Sequence, residues 1–241
     1  MKYTTVILLF LTTTITFGQK LKKVTQKINK EYSETYYVLK SDKTTKHGEY
    51  IKKSKDKGIV EKGYYKNGVK DSLWVYYRNG ANQILKSQGH FLNNEKQGEW
   101  NFYDWDGKLI QTYDYAKDTI LFEKNLTNKY EYTCNTKKDS TENCLYPVLI
   151  GGYILMQEIL AKNIMYPPLA VEMGIQGAVY ISFEINENGK GKNPMLHKGV
   201  DPDLDAEALR VVKIILDEVK WYTWGKKTTY KMTIPIKFKL Q

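Results

Sequence analysis

The chain has 241 residues, of which 41% are hydrophobic and 13% aromatic, with a formal net charge of +10. That length allows one large domain or two modest ones, with enough apolar residues for packed cores. The basic balance includes no arginine-rich or aromatic-interleaved cluster suited to reading bases. A nucleic-acid partner is therefore not expected, and the charge reads as a lysine-rich surface among anionic neighbours.

Residues 1–18 read as a cleavable signal peptide. Lys2 is the positive start, Val6 to Phe17 the apolar run, and Thr16-Phe17-Gly18 a small-residue cleavage site before Gln19. A membrane span needs about 20 apolar residues, and this run ends early at the polar, basic Gln19-Lys20. The alternative is a retained anchor. Residues 19–31 form a basic arm, either a short amphipathic helix or disordered.

Residues 32–123 are expected to be all-β. Gly63 to Gly80 and Gly89 to Gly107 align when Gly63 is set on Gly89, pairing Tyr65 with Phe91, Lys70 with Lys96, Trp74 with Trp100 and Tyr77 with Tyr103. Lys46-His47-Gly48-Glu49-Tyr50 is a partial earlier copy of Lys96-Gln97-Gly98-Glu99-Trp100. Each unit has two aromatic strands around an Asn-Gly-type turn, which predicts stacked hairpins in a single-layer meander. Tyr36-Tyr37-Val38-Leu39 and Ile120-Leu121-Phe122 add strands at the two ends. The segment resembles bacterial MORN-like repeats, which implies architecture rather than a defined chemistry. Trp74 and Trp100 are either the repeat's core or a stacking stripe for a carbohydrate or peptide.

Residues 124–146 are polar and read as a linker. Cys134 and Cys144 lie within it. In an exported protein they are a candidate disulfide that closes a short loop, the alternative being two free thiols. The three histidines are scattered without ligand spacing, so no metal is expected.

Residues 147–241 follow an α+β order. A first helix covers Tyr153 to Asn163, entered through Gly151-Gly152. Val179, Ile181, Phe183 and Ile185 alternate with Ala178, Tyr180, Ser182 and Glu184 as in a half-buried strand, and Asn188-Gly189 closes a turn. Leu204, Ala208, Val211, Val212, Ile215 and Val219 recur at helical spacing. Met232, Ile234, Ile236, Phe238 and Leu240 outline a last strand. Asp201, Asp203, Asp205 and Glu207 fail the calcium-loop template, since Ala206 replaces the turn glycine and Val212 the bidentate Glu. Asp201 or Asp203 is better read as a helix cap, with Glu207 and Arg210 as a surface pair.

These elements carry Tyr166-Pro167, Gly174-Ile175-Gln176-Gly177, Gly199-Val200-Asp201-Pro202, Glu207 to Val212, and Ile234-Pro235-Ile236-Lys237-Phe238. In that order and spacing the segment resembles the TonB C-terminal domain. The resemblance implies two helices on a three-stranded antiparallel sheet, a periplasmic binding module, no active site and no cofactor. It implies as partner the TonB-box peptide of an outer-membrane receptor, recruited by strand addition in energy-coupled transport. With a retained N-terminus, an inner-membrane location and a proton-channel complex would follow. A homodimer is a further candidate.

The expected docking edge is Tyr230, Lys231, Met232, Thr233, Ile234, Pro235, Ile236, Lys237 and Phe238, assisted by Tyr166 and Pro167. Proline cannot donate to a ladder and belongs on an edge, and the flanking lysines are the usual protection of one. Two departures from the family pattern stand out. Leu149-Ile150 replaces its aromatic-proline residues, and Trp224 stands where Trp-x-Pro-Gly has proline. No proline-rich spacer precedes the domain. The second reading is an exported envelope scaffold, in which the repeats bind a wall or protein partner without energy transduction.

Overall fold

The computed structural model describes residues 20–56, 58–78, 82–124, 131–134, 146–224 and 229–240. The signal peptide, Cys144 and the side chain of Cys134 lie outside the described residues, and with them the candidate disulfide. No described helix is long and apolar enough to cross a membrane.

The first unit is a nine-stranded antiparallel meander in chain order. Its strands are β1 (Leu21–Lys27), β2 (Tyr32–Leu39), β3 (Lys46–Ser54), β4 (Gly58–Lys66), β5 (Val69–Tyr77), β6 (Leu85–Leu92), β7 (Glu95–Tyr103), β8 (Leu109–Asp114) and β9 (Thr119–Glu123). Asn67-Gly68 and Asn93-Asn94 all take left-handed backbone, the geometry of tight hairpin turns. The basic arm is neither helical nor disordered. β1 pairs with β2 from Leu21↔Leu39 to Lys27↔Ser33, supported by Gln26 Nε2 donating to Glu34 at 2.6 Å. Pairing with a free strand edge outweighs the arm's weak apolar pattern, and its exposed lysines guard the sheet's outer side.

Trp74 and Trp100 are the repeat's core, 0% and 1% exposed, and not a stacking stripe. Each fills the space left by a glycine on the neighbouring strand. A Cβ on Gly63 would meet the Trp74 ring at 2.2 Å, and one on Gly89 the Trp100 ring at 2.4 Å. Each unit repeats one rung. Tyr50, Trp74 and Trp100 lie edge-on to Tyr65, Phe91 and Tyr115, with ring centroids 5.3, 5.9 and 6.1 Å apart. Above them Lys46, Lys70 and Lys96 hold their ammonium groups 5.0, 3.9 and 4.4 Å from the ring centres.

The second unit begins with β10 (Glu131–Cys134) and β11 (Val148–Leu149), then α1 (Gly152–Asn163), α2 (Pro168–Glu172), β12 (Gly177–Ile185) and β13 (Gly191–Lys198). It ends with α3 (Pro202–Glu218), β14 (Trp221–Tyr222) and β15 (Tyr230–Phe238). β12, β13 and β15 are the three expected strands. β10 adds a fourth from within the expected linker, giving the order β10-β15-β12-β13, while β11 and β14 pair separately. Val179, Ile181, Phe183 and Ile185 from β12 pack against Leu204, Ala208, Val211 and Ile215 of α3, all at most 1% exposed. Asp201 caps α3, accepting from the N–H groups of Asp203 and Leu204 at 3.0 and 3.5 Å, and Pro202 follows at its first position. The short α2 has Pro168 at its first position, where the missing N–H costs nothing.

The two units are packed together. Ile150, just before α1, and Ile154 within it join Trp100, Phe102, Ile110 and Tyr113 of the repeat sheet in one apolar cluster. Gly151 and Gly152, with φ of 104° and 73°, let the chain turn tightly into the helix, and a Cβ on Gly152 would strike Ile110 at 2.8 Å. The fully buried Gln111 bridges the junction. Its Nε2 donates to Leu149 O at 2.8 Å and to Glu123 at 2.7 Å, and its Oε1 accepts from Gly151 N–H at 2.6 Å. Arg78 is ion-paired with Glu158 of α1, and Lys220 lies 3.1 Å from Asp118.

Candidate functional site

The expected docking strand β15 has different neighbours on its two flanks. On one side β12 pairs with all of it, from Gly177↔Phe238 to Ile185↔Tyr230, without a register break. An unbroken ladder across Pro235 requires that its donor-less nitrogen point away from β12. Backbone groups alternate sides along a strand, so Lys231, Thr233, Pro235 and Lys237 direct their amide groups to the other flank.

There the expectation of a continuous open edge needs correction. β10 pairs Glu131↔Thr233, Tyr132↔Met232, Thr133↔Lys231 and Cys134↔Tyr230. The chain's own backbone therefore takes up the Tyr230–Thr233 half. This pairing reaches Thr233 among the described residues, two residues before Pro235. Among the described residues, Ile234–Phe238 has no strand on this flank. It offers the Pro235 carbonyl and the N–H and carbonyl of Lys237.

Side chains on β15 divide cleanly. Tyr230, Met232, Ile234, Ile236 and Phe238 are buried under the helices, whereas Lys231 and Lys237 are exposed and Thr233 and Pro235 half-exposed. Ser182 and Thr233 share a 2.8 Å hydrogen bond on the outer face, and Lys198 lies 5.9 Å from the Tyr180 ring centre. Beside Pro235 the outer face carries Lys198 and the exposed Lys237, and is cationic.

Tyr166 is brought to this half of the strand. Its ring meets Phe238 edge-on at 5.5 Å, and its hydroxyl donates to Ile175 O at 2.5 Å. Pro167, in extended conformation, precedes α2 and sets the chain's direction there. The segment before them is held by Glu207 and Arg210, which are more than the expected surface pair. Glu207 is 8% exposed and accepts from Met165 N–H at 2.6 Å, while Arg210 donates to Asn163 O at 2.6 Å and to both Glu207 oxygens at 2.7 Å. Burial opposes ionisation of Glu207, but Arg210 and the Met165 amide together hold its pKa below the usual carboxylate range.

Sequence reasoning missed three contributors. β10 is one, although Tyr132-Thr133 carries β-forming residues within a polar stretch. The buried role of Glu207 and the bridging role of Gln111 are the others. Among the described residues, no group of three or more His, Cys, Asp or Glu is placed to hold a metal ion. His197 is exposed on β13.

Residues 162–240 match the family model described as Gram-negative bacterial TonB protein C-terminal. No curated protein matches the chain. Among solved structures, the chain is similar to the solution structure of the Helicobacter pylori TonB C-terminal domain. Identity is 26%, covering 36% of this chain and 79% of that one, with a TM-score of 0.31.

Proposed function

Because residues 162–240 form a domain of the TonB C-terminal type, we propose that it is a non-catalytic peptide-binding module of the Gram-negative envelope, working in the periplasm. It takes up an extended segment of an outer-membrane receptor alongside β15. The observation that carries this reading is the flank itself: among the described residues β10 pairs with Tyr230–Thr233, and no strand lies beside Ile234–Phe238. Main-chain hydrogen bonds to Pro235 and Lys237 supply the grip, and the exposed Lys237 favours segments with acidic residues. A longer peptide displaces β10, whose four residues form a strand short enough to exchange.

Calorimetric titration with N-terminal peptides of outer-membrane receptors tests the proposal. Lys237→Pro removes the outward amide while leaving the ladder to β12 its own donors. It should weaken binding by about tenfold or more, since one lost backbone bond plus steric exclusion exceeds about 1.4 kcal/mol. Binding that is equal in parent and variant would rule out strand addition at this half.

The scaffold reading has its own support. The residues that depart from the family pattern are used at the junction between the units. Ile150 enters the shared cluster, the Tyr222 hydroxyl lies 3.2 Å from Thr119 of the repeat sheet, and Trp224 stacks edge-on against Tyr222. In that reading the repeat sheet is carried as a fixed attachment that presents its own surface to a wall or protein partner. Pull-down from envelope extracts separates the two, since receptors alone favour the first and wall-associated proteins alone the second.

A further inference from the structure

The repeats are nearly alike in how they treat their half-buried lysine, and the third copy breaks the rule. Lys46 Nζ lies 3.1 Å from Glu34, and Lys70 Nζ lies 2.8 Å from Glu61 and 3.0 Å from the Tyr76 hydroxyl. The same offsets that relate Lys70 to Lys96 relate Glu61 to Ser87 and Tyr76 to Phe102. Both polar partners are gone in the third copy. Among the described residues Lys96 has no carboxylate within salt-bridge distance; its neighbours are the Tyr115 hydroxyl at 3.2 Å and the faces of Trp100, Tyr115 and Phe102. Burial, and secondarily the charge of Lys70, push its pKa down to about 8, as expected of a cation deprived of a counter-ion.

A cleft opens where those partners are missing. It has a volume of about 260 Å³ and lies between the repeat sheet and α1. Ser87, Lys96, Trp100 and Phe102 line it from the sheet, and Ile154 and Glu158 from α1. Its charge is unbalanced. Among the described lining residues, Arg78, Lys86 and Lys96 face one carboxylate, that of Glu158, which is already occupied by Arg78 and by Lys86 at 2.6 Å. Lys86 is partly exposed at the rim. The size falls just below the usual small-molecule range of about 300–1,000 Å³, which suits a small acid or a single side chain rather than a large cofactor.

We propose that this cleft binds the carboxylate of a small apolar acid, seated against Lys96 as Glu34 and Glu61 are seated against Lys46 and Lys70. The body of the ligand lies against Phe102 and Ile154. A short-chain free acid and the terminal carboxylate of a peptide present the same chemistry. The site is separate from the β15 flank and does not depend on what that strand recruits.

The test is NMR of the full chain with ¹³C-labelled lysines, following the Lys96 Cε resonance. The titrants are hexanoate, N-acetyl-leucine, N-acetyl-leucinamide, hexanol and inorganic phosphate. Saturable shifts are expected with the two carboxylates only, and their ranking tells a free acid from a peptide terminus. Ser87→Glu should refill the place internally, shift the Lys96 resonance without ligand, and weaken carboxylate binding at least tenfold in a folded protein. Lys96→Met should abolish binding, read by the Ile154 methyl resonance. The proposal is overturned if neither carboxylate gives a saturable shift, if phosphate or the amide binds as well, or if Ser87→Glu binds carboxylates as the parent does.

Discussion

The repeat sheet and the C-terminal unit solve the burial problem in different ways. The C-terminal unit is layered: α1 and α3 cover one face of a sheet whose inward residues are almost wholly buried. The repeat sheet is a single layer, and most of its residues remain half-exposed. Its order comes from rungs of ring, glycine and lysine passed from one strand to the next. A layered core concentrates its stability in few large side chains, whereas rungs spread it along the sheet. The contrast also explains the junction. At the β1 end, lysines guard the sheet, while at the β7–β9 end Ile150 and Ile154 of the C-terminal unit cover its rings. The repeats therefore have one end facing solvent and one end docked.

The largest expected effect breaks the layered core. Phe183→Ala should cost about 3–5 kcal/mol, because the site is enclosed by α3 and cannot collapse. Denaturant unfolding followed by near-ultraviolet dichroism measures it. Ile154→Asp attacks the junction instead, burying a charge among Trp100, Ile110 and Tyr113. The parent should unfold in one transition and the variant in two, seen as separated calorimetric peaks. A milder cut is Gln111→Ala, which orphans the Gly151 N–H and the Leu149 carbonyl. A loss of about 2–3 kcal/mol is expected from the parent's melting curve.

The smallest effect is a pH dependence. Burial pushes the Glu123 carboxyl up to about 7, against the opposing hydrogen bond from Gln111. A folded pKa above the unfolded value means the native state binds the extra proton. The contribution is complete below about pH 4.5 and is lost as pH rises through about 7, by about 1–2 kcal/mol after allowance for partial exposure. Glu123→Gln should flatten the fall in Tm across that window.

Much of this architecture was legible from local chemistry. Asn67-Gly68 wrote its own turn, Asp201 its own cap, and the alternation from Val179 to Ile185 its own buried face. The register of Trp74 with Trp100 exposed the repeat because one rung serves every unit. Features set by pairing between distant segments were not legible. Lys-rich β1 and polar β10 become strands only because β2 and β15 offer them an edge. Glu207 looked like half of a surface pair because nothing near it in sequence announces the Met165 amide it satisfies. On β15, Pro235 marks the flank that faces away from β12, but the strand that pairs with Tyr230–Thr233 on that flank comes from a segment that reads as linker.

Among the described residues β15 has a strand beside Tyr230–Thr233 and none beside Ile234–Phe238 on the same flank, and amide hydrogen exchange measures the difference residue by residue. The amides of Lys231 and Thr233, facing β10, should exchange slowly. That of Lys237 should exchange fast in the free chain and become protected when a receptor peptide is added. A Lys237 amide already as slow as Thr233 before any peptide is present, and unchanged by it, would contradict the account.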